Sequence, residues 1–293
     1  MQLTLPVGST VASVSRVEPR PPSRAVLSAF GLSGEPVLLA GGQGGTFAVG
    51  DAVLKPSTDE VLDEWTARVT TDLTPDGFRV ARPVAAGSAH VVDGWTAWER
   101  VAGGHRLHGG PWRDAVAVAG RFTEALRAVD RPLPELPDTV WKQADRMAWD
   151  ETPGTWRGPG AVVLDRLQAL KRPVSAAAQL VHGDLAGNLL WHPTLPPAVI
   201  DLTPYRRPAG YASALLVVDA VLSHGAGLEL LDLVADPVQL DQLVLRALSF
   251  RLITDDLFLR GLSPAERTSG HWGERDVRER LDHARPLVVF LGG

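Results

Sequence analysis

The sequence predicts an α+β chain with a β-rich N-terminal half and a mainly helical C-terminal half. Three observations predict it. Short apolar runs punctuated by glycine turns fill residues 37–101, apolar residues at helical spacing dominate beyond, and the pair Gly103-Gly104 marks the change of character. The expected division is residues 1–101 and residues 102–293.

Residues 1–22 end in Pro19-Arg20-Pro21-Pro22 and read as an extended lead-in. Ser23 caps a short helix that Gly31 ends after Phe30. Val37 to Ala40 is a strand, and Gly41-Gly42-Gln43-Gly44-Gly45 is a flexible turn. Thr46 to Val49 returns, Gly50-Asp51 turns tightly, and Ala52 to Lys55 is the third strand. A helix then opens after Pro56, with Ser57 or Thr58 as its cap, and runs to about Thr70. Strand character recurs around Phe78 to Val80 and His90 to Val92, and from Trp95 to Val101. Helices are expected over Trp112 to Asp130, Val140 to Trp149, Ala161 to Leu170, Tyr211 to Ser223, Val238 to Thr254 and Arg275 to Ala284.

The 293 residues, 45% hydrophobic and 22% charged, are those of an ordinary globular chain. A net charge of -5 gives no reason to expect nucleic acid as a partner. The absence of cysteine excludes disulfides and cysteine metal sites and fits a cytoplasmic protein. No apolar run is long enough to span a membrane, and Met1 to Val14 lacks the basic start and apolar core of a signal peptide. The histidines show no zinc-motif spacing. Basic charge is almost all arginine, as in a GC-rich bacterial genome, with Lys55, Lys142 and Lys171 the only lysines.

The most informative segment is His182-Gly183-Asp184-Leu185-Ala186-Gly187-Asn188, followed by Val199-Ile200-Asp201. Leu189 to Trp191 and Ala198 to Ile200 are apolar runs joined by the turn Pro193 to Pro197. Paired as an antiparallel hairpin, they set Asn188 and Asp201 at the same end, on neighbouring strands roughly 5 Å apart. Asp184 lies one short loop earlier. Magnesium takes hard oxygen ligands, usually one or two from carboxylates, with phosphates and water filling the rest. Asn188 and Asp201 suit that role, and Asp184 suits orienting an acceptor and taking its proton during phosphoryl transfer. His182 reads as a brace for this loop rather than a base.

With these residues the chain resembles the aminoglycoside phosphotransferase and choline kinase-like family, whose fold is that of the protein kinases. The resemblance runs from about Val37 to Asp219. It is nearest an actinobacterial branch with the pattern Ile200-Asp201, two residues, Pro204-Tyr205, then Arg207-Pro208. It implies a two-lobed fold, ATP and Mg2+ as cofactors, and a small-molecule phosphoryl acceptor such as a sugar or aminosugar. It makes Asp184 the catalytic base and gives the metal to Asn188 and Asp201. The step from Asp184 to Asn188 is four residues, one shorter than the family's usual step. Leu202-Thr203 follows Asp201 where protein kinases carry Phe-Gly, which favours a small-molecule kinase. A catalytically inactive nucleotide-binding scaffold or sensor is the alternative that the shortened loop admits. A metal-dependent phosphohydrolase on the same acids is a third reading.

The resemblance also assigns the N-terminal half to the nucleotide. Lys55 becomes the lysine on the α- and β-phosphates, and Gly41, Gly42, Gly44 and Gly45 the turn whose amides face them. Such a lysine needs a carboxylate. Glu60 and Glu64 share one helix face, and Glu64, next to the inward Trp65, is the choice. The backbone of Glu99 to Val101 takes the adenine edge. Asp219, in an apolar helix, is expected to accept amides of the catalytic loop. Trp141 and Trp149 are candidates for the acceptor pocket. Arg206 and Arg207 are expected in surface salt bridges, with contact to an anionic substrate as the alternative, and Asp255-Asp256 as solvated acids that could face a cationic acceptor.

Overall fold

A computed structural model describes residues 19–39, 45–135, 138–235, 238–263 and 273–292. In chain order the elements are α1 (Arg24–Ala29), β1 (Val37–Leu38), β2 (Phe47–Val49), β3 (Ala52–Pro56), α2 (Glu60–Asp72), β4 (Arg79–Val80), β5 (Val91–Val92) and β6 (Trp95–Glu99). Then come α3 (Trp112–Arg127), α4 (Val140–Ala148), α5 (Ala161–Leu170), β7 (Ala178–His182), β8 (Leu189–Leu190), β9 (Ala198–Val199) and β10 (Pro204–Pro208). The chain closes with α6 (Gly210–His224), a 3-10 segment (Leu228–Leu233), α7 (Leu240–Gly261) and α8 (Glu274–Gly292). The chain forms two compact units. The first holds Met1–His105, Ala125–Leu136 and Gly187–Leu202, and the second the remaining segments.

The first unit contains an antiparallel five-stranded sheet in the order β1-β2-β3-β6-β5. Its core forms where α1 lays Val26, Leu27 and Phe30 beside Val49, Ala52, Leu54 and Ala97. Alternation along β3 buries Ala52 and Leu54 and leaves Lys55 half-buried beside Thr96 of β6. The β5–β6 turn is Asp93-Gly94, both at positive φ, as a two-residue hairpin turn demands. A second, three-stranded sheet has the order β4-β9-β8. In it Leu189 pairs with Val199 and Leu190 with Ala198, the antiparallel hairpin expected from the apolar runs, and β4 adds in parallel. Gly104 forms an isolated bridge to Trp191, just beyond β8. The Gly104 amide and carbonyl exchange 2.9 Å bonds with Trp191. A Cβ on Gly103, at φ +140°, would meet the Trp191 carbonyl at 3.0 Å.

The second unit is built on two buried helices. Every residue of α6 from Gly210 to Leu222 is buried, and α7 packs on α4, α5 and α6. A two-stranded ribbon of β7 and β10 sets Pro204 opposite His182 and Tyr205 opposite Val181. Neither strand was among the elements expected from the sequence, where Pro204 to Pro208 entered only as part of the family pattern. The prolines are tolerated because a ribbon of two strands has only edges. Among the described residues no helix is long and apolar enough to cross a membrane.

Several boundaries moved. Asp59, not Ser57 or Thr58, caps α2 by accepting from the Leu62 amide at 3.0 Å, and Ser57 donates instead to Asp63. Helix α7 extends to Gly261, and α8 continues through Pro286. Arg207 is no surface charge. It pairs with Asp145 and Glu151, its guanidinium lies 4.8 Å from the Trp149 ring centroid, and Asp145 is only 2% exposed. Burial pushes the Asp145 carboxyl up, with the Arg207 bonds opposing it. Asp255 and Asp256 are also buried, facing Arg280 and Arg260, and Asp256 accepts from the Arg157 and Gly158 amides. These acids hold the helical unit together and do not face solvent.

Removing one member of a buried pair leaves the other charge uncompensated. Asp145→Ala is therefore expected to lower unfolding free energy by about 3–5 kcal/mol, measured by urea titration, whereas Asp138→Ala at the exposed Arg146 pair is expected to leave the unfolding midpoint nearly unchanged.

Candidate active site

The hairpin register carries Asn188 and Asp201 to one end of the β8–β9 pair, where the Ile200 amide donates to the Asn188 carbonyl at 3.0 Å. Asp201 has a left-handed backbone, φ +52°, a conformation that aspartate tolerates better than most side chains. Its carboxylate forms an ion pair with the Lys55 ammonium. The two residues are 146 positions apart and both side chains remain partly exposed, 28% for Lys55 and 43% for Asp201. Lys55 also lies 5.8 Å from the Trp98 ring centroid. Lys55, Asn188 and Asp201 thus gather within the first unit.

The α2 carboxylate that feels the Lys55 charge is Asp63, a residue not singled out from the sequence. Burial pushes its carboxyl up, the Ser57 hydroxyl bond at 2.5 Å and the Lys55 charge pull it down, and Asp59 and Asp201 push it up again. Glu64, the chosen partner of Lys55, is engaged elsewhere. It accepts from Arg68 at 2.7 Å, from the His90 amide at 2.7 Å and from His90 Nδ1 at 3.0 Å. One residue along a helix is a rotation of about 100°, so Asp63 and Glu64 face different neighbours. Glu60 is exposed.

The Glu99 amide donates to the Arg82 carbonyl at 2.7 Å, and Val101 follows the end of β6, outside its ladder. Gly45 is described, and a Cβ there would meet the Pro56 ring at 3.2 Å. Gly41, Gly42 and Gly44 lie outside the described residues.

In the second unit, β7 delivers the loop that carries Asp184. His182 is fully buried, and its Nδ1 accepts from the Asp184 amide at 3.0 Å, so it braces the turn. Gly183 donates its amide to the Thr203 carbonyl at 2.8 Å. A Cβ on Gly183 would lie 2.3 Å from the Tyr205 ring. The absence of a side chain at 183 and the ring at 205 are therefore one packing decision. Burial, with the Asp145 charge second, pushes the Tyr205 phenol above its ordinary range, so it stays a neutral group.

Asp219 does not accept loop amides as expected. It is paired with Arg251 of α7, which donates from Nε at 2.6 Å and from Nη2 at 2.5 Å. Arg251 Nη2 also lies 3.3 Å from the Gly183 carbonyl and 3.5 Å from Asp184 Oδ1. The helix carboxylate reaches the loop through a guanidinium. Arginine in a helical apolar run carries no sequence signal of that role. Trp141 is set between Phe250 and Phe258, and Trp149 against Tyr211. Both residues are half-buried.

A sequence model of the phosphotransferase enzyme family, APH, matches residues 37–206. No curated protein matches the chain by sequence. Among solved structures, an aminoglycoside phosphotransferase from Alicyclobacillus acidocaldarius is similar with a TM-score of 0.64 at 15% identity, covering 95% of this chain and 96% of its own. A choline/ethanolamine kinase family protein from Mesorhizobium loti is similar with a TM-score of 0.56 at 15% identity, over 90% and 94%. A thermostable mutant of the aminoglycoside phosphotransferase APH(4)-Ia, in ternary complex with ADP and hygromycin B, gives 0.58 at 14% identity, over 95% and 100%. At these identities the likeness is one of fold, the protein-kinase-like fold of these enzymes.

Two predictions test the packing of these segments. Gly183→Ala must displace the Tyr205 ring, and a loss of about 1–3 kcal/mol in chemical denaturation is expected. For Glu64, burial raises the carboxyl, but the His90 and Arg68 bonds outweigh it and hold it below its ordinary value of 4.5. Its contribution is complete above that value and is lost as pH falls through and below it. Glu64→Gln is expected to flatten the stability profile in that acid range while leaving the neutral profile's shape unchanged, as followed by thermal melts across pH.

Proposed function

The chain belongs to the phosphotransferase enzyme family, and we propose that it moves the terminal phosphoryl group of ATP, taken as its magnesium complex, to a hydroxyl or amine of a small molecule. A sugar, an aminosugar or a related metabolite is the proposed acceptor class. The observation that carries this reading is the Lys55–Asp201 pair, formed beside Asn188 by the hairpin register. An ammonium suited to phosphate and a carboxylate suited to a cation are held together on rigid strands.

The donor set fits magnesium. Asn188 offers an amide oxygen and Asp201 a carboxylate, hard donors that leave places for phosphates and water. When bound, the ion supplies neutralisation of charge on the phosphates. The chain's own residues do the rest. Lys55 binds phosphate oxygens as a point charge. Asp184, 19% exposed and fixed by His182 through its own amide, orients the acceptor and takes its proton at a carboxylate oxygen. The backbone around Glu99 to Val101 is assigned to the adenine edge. A relative's complex with ADP and hygromycin B supports a nucleotide and a small-molecule acceptor.

The test is transfer of radiolabelled phosphate from ATP to a panel of sugars, aminosugars and amino alcohols. With an acceptor found, Asp184→Ala is expected to lower kcat by about 10²–10⁴-fold, the range of a lost general base. Lys55→Ala is expected to lower kcat/KM for MgATP by about 10²-fold or more. Tight nucleotide binding with no transfer across the panel speaks for a scaffold or sensor. Phosphate release that needs no acceptor and survives Lys55→Ala speaks for a phosphohydrolase.

A further inference from the structure

We infer that Arg251 is a positioning residue for Asp184, clamping the loop of the proposed base from behind while Asp219 fixes the clamp. The inference rests on the phosphotransferase reading of Asp184. A guanidinium is planar and offers a rigid fork of donors. Here one side of the fork is spent on Asp219, through Nε at 2.6 Å and Nη2 at 2.5 Å. Nη2 then faces the loop, 3.3 Å from the Gly183 carbonyl and 3.5 Å from Asp184 Oδ1.

Three features keep that nitrogen where it is. The Arg251 and Asp219 side chains are 6% and 9% exposed, so water does not compete. The guanidinium carbon lies 4.8 Å from the Phe250 ring centroid and 5.9 Å from that of Trp141. Asp219 itself sits on α6, whose neighbours in sequence are all buried. A pair serving stability alone needs only the two partners, and apolar residues commonly replace such pairs without loss. The additional contacts to Gly183 and Asp184 give this pair a second task. Burial opposes the Arg251 charge, and Asp219 and Asp184 more than restore it. A fixed donor beside Asp184 sets the direction of that carboxylate. Displacement by about 1 Å at such a site costs on the order of 10²-fold in rate.

The test uses the full chain and the acceptor that the wild type turns over fastest in the panel. Arg251→Gln combined with Asp219→Asn removes both charges together, so no lone buried charge remains. Arg251→Lys keeps the charge and loses the fork. Thermal melts and the affinity for a fluorescent ATP analogue report folding and nucleotide binding. In the double variant we expect kcat down by about 10²-fold with the KM for MgATP changed less than about twofold. In Arg251→Lys we expect about a tenfold loss, a partial rescue that follows the retained charge. A folded double variant with wild-type kcat overturns the inference. If the double variant does not fold, Arg251→Lys decides, and undiminished kcat in that variant overturns it. A wild type that transfers phosphate to no acceptor defeats the phosphotransferase reading and this inference with it. An active wild type beside unaffected variants defeats this inference alone.

Discussion

A carboxylate inside a wholly buried helix has to be answered by a cation, and in this chain the answer organises the helical unit. Asp219 has Leu216, Val217, Val218, Ala220 and Val221 around it in α6. Its partner comes from α7, 32 residues further on. Without Arg251, the burial of Asp219 would cost several kcal/mol. With it, the two helices are held in one register, and Nη2 of the guanidinium, shared with Asp219, is delivered to the Gly183-Asp184 loop. The same helix pair presents Phe250 to the Tyr205 ring, 6.0 Å between centroids, and that ring occupies the space left by Gly183. The loop is thus set from two directions by groups that belong to the core.

The first unit solves a different problem with short strands. Two residues of pairing in β8 and β9 are enough, because Asn188 and Asp201 flank the pair and inherit its spacing. The small sheet is extended by β4 and tied through Trp191 to Gly104. Lys55 comes from the larger sheet, at the point where alternation turns its side chain away from the core that receives Leu54. The meeting of Lys55 with Asp201 is then a consequence of two independent registers. Ion pairs with this much exposure contribute little stability, so the pair is better understood by what it can bind than by what it holds together.

Much of this was legible in the residues, and the failures have physical causes. The β8–β9 hairpin was readable because apolar runs of strand length flank a proline-rich turn. Lys55 was readable because strand alternation and lysine scarcity both mark it. The Lys55 partner was not, since Glu64 turns to Arg68 and His90 and the carboxylate that meets Lys55 is Asp201, 146 positions away. Asp255 and Asp256 were read as solvated acids, and Arg251 was not singled out, because single-sequence pattern shows that a residue is charged but not which buried charge it meets. The ribbon of β7 and β10 was hidden by its prolines. For the buried charges the missing information was a long-range contact.

The account turns on what Lys55 and Asp201 bind, so a crystal structure with a nonhydrolysable ATP analogue and magnesium addresses it most directly. The account predicts magnesium on both Asn188 and Asp201, with the Lys55 ammonium on phosphate oxygens in place of its bond to Asp201. An unbroken Lys55–Asp201 pair, with the nucleotide bound elsewhere or the metal touching neither Asn188 nor Asp201, would contradict it.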